Sequence, residues 1–219
     1  SDNQCADNEV CTNQGCQRAF TVAMIPIGYS SGETAKFKQQ AQEETELWEQ
    51  WLPVDQELVR FHYVNPKVCP DVQCRDVCRD CQDSVRDCAR NAGMLGVADK
   101  LAGVSKGDVY TYYGNNELIL CGCAGGIPSL TSLSRSRLYV PQGVYCYGTV
   151  PHEGGHQLGL YHVDAVGNEG GACQGPNAAD CQQSDKQSDI MGYAYPQDHY
   201  GPAATTHLQS VFRQMEVIS

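Results

Sequence analysis

The sequence predicts an α+β domain with a twisted mixed sheet and many disulfides. Three observations carry that expectation. Residues 20–28 (FTVAMIPIG) form a short apolar run that reads as a buried strand. An amphipathic stretch and a second strand follow it, the order that opens a sheet with parallel pairing. Thirteen cysteines stand in only 219 residues, a density that belongs to an oxidising compartment.

Taken in order, residues 1–19 are rich in Cys, Asn, Gln and Asp without an apolar period, and read as an extended arm held by disulfides. Within the first strand, Pro26 limits pairing near the end. Ser30 and Glu33 have the spacing of a capping box. They predict a helix to about Trp51 that sets Phe37, Ala41, Trp48, Trp51 and Leu52 near one face and stops at Pro53. Val59, Phe61 and Tyr63 alternate with Arg60 and His62, the pattern of a half-buried strand.

Residues 66–93 form a cysteine-rich insertion. On a helix at about 100° per residue, Cys74, Cys78, Cys81 and Cys88 share an arc of roughly 80°. Their spacing matches no zinc pattern, so disulfides to Cys5, Cys11, Cys16 or Cys69 are expected. An odd count leaves one cysteine beyond six internal bridges. Residues 108–113 and 117–123 read as strands around the turn signal 114–116, with further strand candidates at 138–140 and 144–147. Residues 164–188 read as a long loop pinned by Cys173 and Cys181. At the end, Thr206 and Gln209 suggest a second capping box opening a helix on Leu208, Val211, Phe212 and Met215.

The formal net charge of -11 argues against nucleic acid and anionic membranes as partners. No apolar run is long enough to span a bilayer as a helix. The first residues lack an initiator Met and the make-up of a signal peptide, so the chain reads as a mature, secreted fragment and a monomer.

The chemistry concentrates in residues 152–162 (HEGGHQLGLYH), which hold three of the six histidines. On a helix, His152 and His156 lie one above the other, with Cβ atoms about 5–6 Å apart, and can ligate one Zn²⁺. Were the helix to continue, His162 would lie about 15 Å beyond His152 at 1.5 Å per residue. To bring His162 to the same ion the chain must break and turn back, and Gly159 can take the positive φ this needs. Three neutral imidazoles leave the fourth position of a tetrahedral ion open, the mark of a catalytic site. Glu153, next to the first ligand, is the candidate general base for attack by water on a peptide carbonyl.

The HExxHxxGxxH string resembles that of the metzincin clan of zinc endopeptidases, in which a methionine turn follows. The segment 188–193 (SDIMGY) matches that turn. The resemblance implies that His152, His156 and His162 hold the zinc, that Glu153 is the base and that Gly159 makes the break. It further implies that Met191 lies beneath the metal and that Tyr193 ligates it or stabilises the transition state. It implies an upper subdomain (20–159) of sheet and two long helices, and a lower one (160–219) ending in a helix. Protein or peptide substrates would lie along an antiparallel edge strand within 117–147, with residues near the methionine turn (Ala194, Tyr195 and Pro196) lining the specificity pocket. Some members are zymogens blocked by a pro-segment, which is not identifiable here. Pappalysin-like and gametolysin-like features both occur, and the branch stays open.

Two features depart from the clan. Gly154 and Gly155 stand inside the motif helix, at a cost of roughly 1 kcal/mol each relative to alanine, so something must pack closely there. The cysteine-rich insertion fits no branch. The acidic, Asn-rich loop at 164–189 is a Ca²⁺ candidate, although its spacing matches no defined calcium loop. Two other readings stand beside the endopeptidase. One is a disulfide-rich binding or toxin module with a non-catalytic zinc site, and the other an enzyme acting on peptide ends or non-peptide amides.

Overall fold

A strand apolar at every position but one (Thr21) must be covered on both faces, and β3 (Phe20–Ile27) is buried along its whole length. The computed structural model describes residues 5–6, 9–27, 29–67, 87–101, 109–114, 123–124, 136–141, 149–164, 172–184, 188–192 and 198–218. Within them, β3 pairs in parallel with β4 (Val59–Tyr63) on one side and with β5 (Val109–Gly114) on the other. β5 pairs in parallel with β7 (Ser136–Pro141), and the short β6 (Cys123–Ala124) lies antiparallel at the edge beside β7. The sheet order is therefore β4-β3-β5-β7-β6. The expected α+β architecture with a mixed sheet is what the chain adopts.

One face of β3, through Phe20, Val22 and Met24, joins a core with helix α1 (Thr34–Trp51) and the last helix, α4 (Pro202–Gln214). The other face, through Ala23, Ile25 and Ile27, packs against Ala89 and helix α2 (Met94–Leu101). The capping box of Ser30 and Glu33 forms as the spacing predicts, over a 3-10 turn that leads into α1. Phe37, Ala41 and Trp48 are buried on the α1 face that meets the sheet.

Several expectations need correction. Residues 9–18 are not a simple arm: β1 (Glu9–Thr12) and β2 (Gly15–Arg18) form an antiparallel hairpin. Register brings Cys11 opposite Cys16, and the sulfur of Cys5 lies within bonding reach of both. Arg60 Nη2 donates to Glu9 O at 2.7 Å and Arg18 Nη1 to Met215 O at 2.9 Å, which fastens the hairpin to the body. The motif helix, α3 (Thr149–Gln157), has nine described residues, so it is not a second long helix among the described residues.

α4 begins at Pro202, and Thr206 lies inside it with its hydroxyl bonded back to Pro202 O. The start is set by a distant group instead. Asp180 accepts hydrogen bonds from the N–H groups of Ala203 and Ala204, both at 2.8 Å, which satisfies orphan donors of the first turn. α2 was not anticipated. Most of the cysteine-rich insertion and the strand candidate at 144–147 lie outside the described residues; Cys88 is disulfide-bonded on a helical stretch. Among the described residues no cysteine is free, and no helix is long and apolar enough to cross a membrane.

Candidate metal centre

Helix α3 is short and carries two glycines, and its neighbours hold it in place. At its N-terminus the buried Glu44 of α1 accepts the N–H of Val150 at 3.2 Å, a carboxylate where the helix dipole favours one. At the other end the N–H of Leu160 donates to Gly155 O at 2.9 Å and that of Gly159 to His156 O at 3.0 Å. This pair of bonds is the Schellman arrangement, and Gly159 provides its positive φ of 94°. His207 of α4 donates from Nε2 to Leu158 O at 2.9 Å, closing another terminal carbonyl.

Gly154 and Gly155 have a packing reason. A Cβ on Gly154 would overlap the ring of Trp48, and one on Gly155 would overlap Sδ of Met191. The helix thus lies closer to α1 and to the 189–192 turn than any other residue would permit.

The reversal at Gly159 brings the third histidine back to the first two. Nε2 of His162 lies 3.2 Å from Nε2 of His152 and 2.9 Å from Nε2 of His156. His152 Nδ1 donates to Ile190 O at 2.6 Å, and His156 Nδ1 to Leu160 O at 2.8 Å. Those bonds fix the tautomer of each ring and leave an Nε2 lone pair directed away from them. Burial above all, then the neighbouring histidines, lowers the His152 pKa to about 3, so that ring is neutral at pH 7. Lone pairs facing one another at about 3 Å repel unless an electrophile lies between them. Zn–N bonds of about 2.0–2.1 Å in a tetrahedron place ligand nitrogens roughly 3.3 Å apart, close to these distances. The three residues also form a metal-competent group by proximity and donor type. The cluster can hold a divalent metal ion such as zinc.

The remaining predicted site residues fall as follows. Glu153 follows His152 on α3 and is 7% exposed. Met191 is fully buried against Gly155, in a turn closed by the N–H of Gly192 on Asp189 O at 2.9 Å. Tyr193, Ala194, Tyr195 and Pro196 lie outside the described residues. Cys173 and Cys181 are disulfide-bonded, as the pinned loop requires. Sequence reasoning missed the roles of Asn177, Asp180 and His207, whose partners lie far along the chain, and of Asp189, which bonds Met191 two residues on and Gly201.

Asp189, 1% exposed, accepts the N–H of Met191 at 2.8 Å and that of Gly201 at 3.0 Å. Burial pushes its carboxyl up to about 6, against the lowering effect of the Met191 bond and with the help of nearby Asp180. Because the folded pKa stands above the ordinary carboxylate value, the stabilising contribution is fully present below about pH 4 and is lost as pH rises through 6. Urea titrations should therefore show the parent losing roughly 2 kcal/mol relative to Asp189→Asn between pH 4 and pH 7. A pH-independent difference would refute the assignment.

No family model matches the chain, and no curated protein does. Among solved structures, one described as "Structure of a chaperone-substrate complex" aligns over 94% of this chain at 15% identity and a TM-score of 0.49. The chain spans 37% of that protein's length, and a likeness at this level carries no functional argument.

Proposed function

We propose that the protein is a secreted zinc-dependent endopeptidase of the metzincin type. The observation that carries the reading is the convergence of the three Nε2 atoms at a break made by Gly159, on a helix that also bears Glu153. Three supports stand beside it. Met191 lies buried beneath the motif helix at Gly155. β6 is antiparallel and at the sheet edge, and α3 lies against β6 and β7, which suits a substrate held extended beside the site. The cysteine content and the Cys173–Cys181 bridge suit an oxidising compartment.

When bound, zinc supplies Lewis-acid polarisation of the scissile carbonyl and lowers the pKa of water to about 7. The chain's own residues do the rest. His152, His156 and His162 would hold the ion, with the first two oriented by Ile190 O and Leu160 O. Glu153 accepts a proton from the attacking water and delivers it to the leaving amine. Tyr193 is assigned to the transition state on the strength of the family resemblance. Residues 1–219 are read as one catalytic domain, with the arm at 1–19, the upper part at 20–159 and the lower part at 160–219.

Chelation tests the reading. Cleavage of a random peptide library should disappear when the metal is removed and return with zinc. Metal-free protein that still cleaves at the parent rate would exclude the mechanism. Zinc-loaded parent that cleaves nothing would favour a binding module whose metal site, closed by a fourth protein ligand, is structural. The same library reports the cleavage preference.

A further inference from the structure

His162 is the one ligand not carried by a helix, so its position depends on whatever fixes residues 160–163. The disulfide-closed loop from Cys173 to Cys181 does much of this. Within it Asn177, 1% exposed, faces the peptide of Tyr161 on both sides. Its Oδ1 accepts the N–H of Tyr161 at 2.9 Å and its Nδ2 donates to Tyr161 O at 2.7 Å. One residue on, the N–H of Cys173 donates to His162 O at 2.8 Å. The Tyr161 ring lies so close over Gly175 that a Cβ there would overlap it. The loop therefore grips the backbone on both sides of the ligand's Cα.

We infer that Asn177 is a positioning residue for the third metal ligand, and that its two-bond grip on Tyr161 sets the affinity of the metal site. A side-chain amide is suited to the task because it offers one donor and one acceptor in the geometry of a neighbouring strand. Burial leaves no water to replace either bond when the amide is removed. Without it the segment 160–163 samples several positions, and the ion is held chiefly by the two helical histidines.

The inference rests on the metal reading of the three histidines, and the experiment separates the two. Zinc affinity is measured on the full, oxidised chain by competition with a chromophoric chelator, and Co²⁺ spectra are recorded at saturating metal. Parent, Asn177→Ala, Asn177→Asp and His162→Ala proteins are compared. Asn177→Ala is expected to bind zinc about 10- to 100-fold more weakly, the range for residues that orient ligands. Its Co²⁺ spectrum should shift toward that of His162→Ala. Asn177→Asp keeps the shape and the acceptor but turns an oxygen toward Tyr161 O, so it should weaken binding too, and it carries the test if the alanine protein does not fold. Parent-like affinity in a folded variant, or a lower melting temperature with an unchanged Co²⁺ spectrum, would overturn the inference and leave the metal site standing. A parent that binds neither ion would overturn the metal reading, and the inference with it.

Discussion

On the endopeptidase reading, the Glu153→Ala protein should bind zinc as the parent does and lose hydrolytic activity. The substitution leaves all three imidazoles and the carbonyl partners of His152 and His156 in place, so zinc content should match the parent. What disappears is the carboxylate one residue past His152, assigned to move the proton between water and leaving amine. Positioned general bases contribute about 10²- to 10⁴-fold, and that is the fall in turnover expected on the best library peptide. Glu153→Gln, nearly equal in size, controls for the gap that alanine leaves in a buried place. Equal zinc content with undiminished turnover in both variants would remove Glu153 from the chemistry.

The second large effect concerns the seam between α1 and α3. Trp48 is fully buried, edge-on to Phe20 at 6.0 Å between ring centroids and tilted against Phe61 at 6.1 Å. Its ring also closes over Gly154. Trp48→Ala should cost about 3–5 kcal/mol, the range for emptying a large aromatic site. Gly154→Ala should cost about 1–3 kcal/mol despite the better helix propensity of alanine, because the ring has no room to retreat. The decisive measurement is the double-mutant cycle by urea unfolding. With Trp48 already reduced to alanine, Gly154→Ala should become neutral or stabilising by up to about 1 kcal/mol. A penalty that persists without the indole would mean that something other than Trp48 demands the glycine.

This seam also illustrates what the sequence discloses. Gly154 and Gly155 read as a local cost with an unnamed compensation, and the compensation proved to be Trp48 and Met191, remote in sequence. Features written in short periods were legible: the apolar run of β3, the alternation in β4, the capping box at Ser30 and the histidine spacing with its glycine break. Each depends on neighbours within a few residues. The start of α4 was misplaced because its cap, Asp180, lies more than twenty residues upstream. α2 escaped notice because it is short and interrupted by Gly96. The grip of Asn177 on Tyr161 leaves no periodic trace at all, since an asparagine in a Gly- and Asn-rich loop looks like any turn residue.

The supports at the two ends of α3 carry a consequence for synthesis. Glu44 belongs to α1 and His207 to α4, which follows α3 in the chain. During translation the segment bearing His152 and His156 appears with its N-terminal support already made and its C-terminal one still missing. Emerging domains build up from the N-terminus at about 5–20 residues per second. The helix bearing His152 and His156 therefore waits several seconds for His207 to emerge and dock. Until then a nascent chain has the three histidines without the full frame around their helix, so metal binding is expected only after residue 207 has emerged.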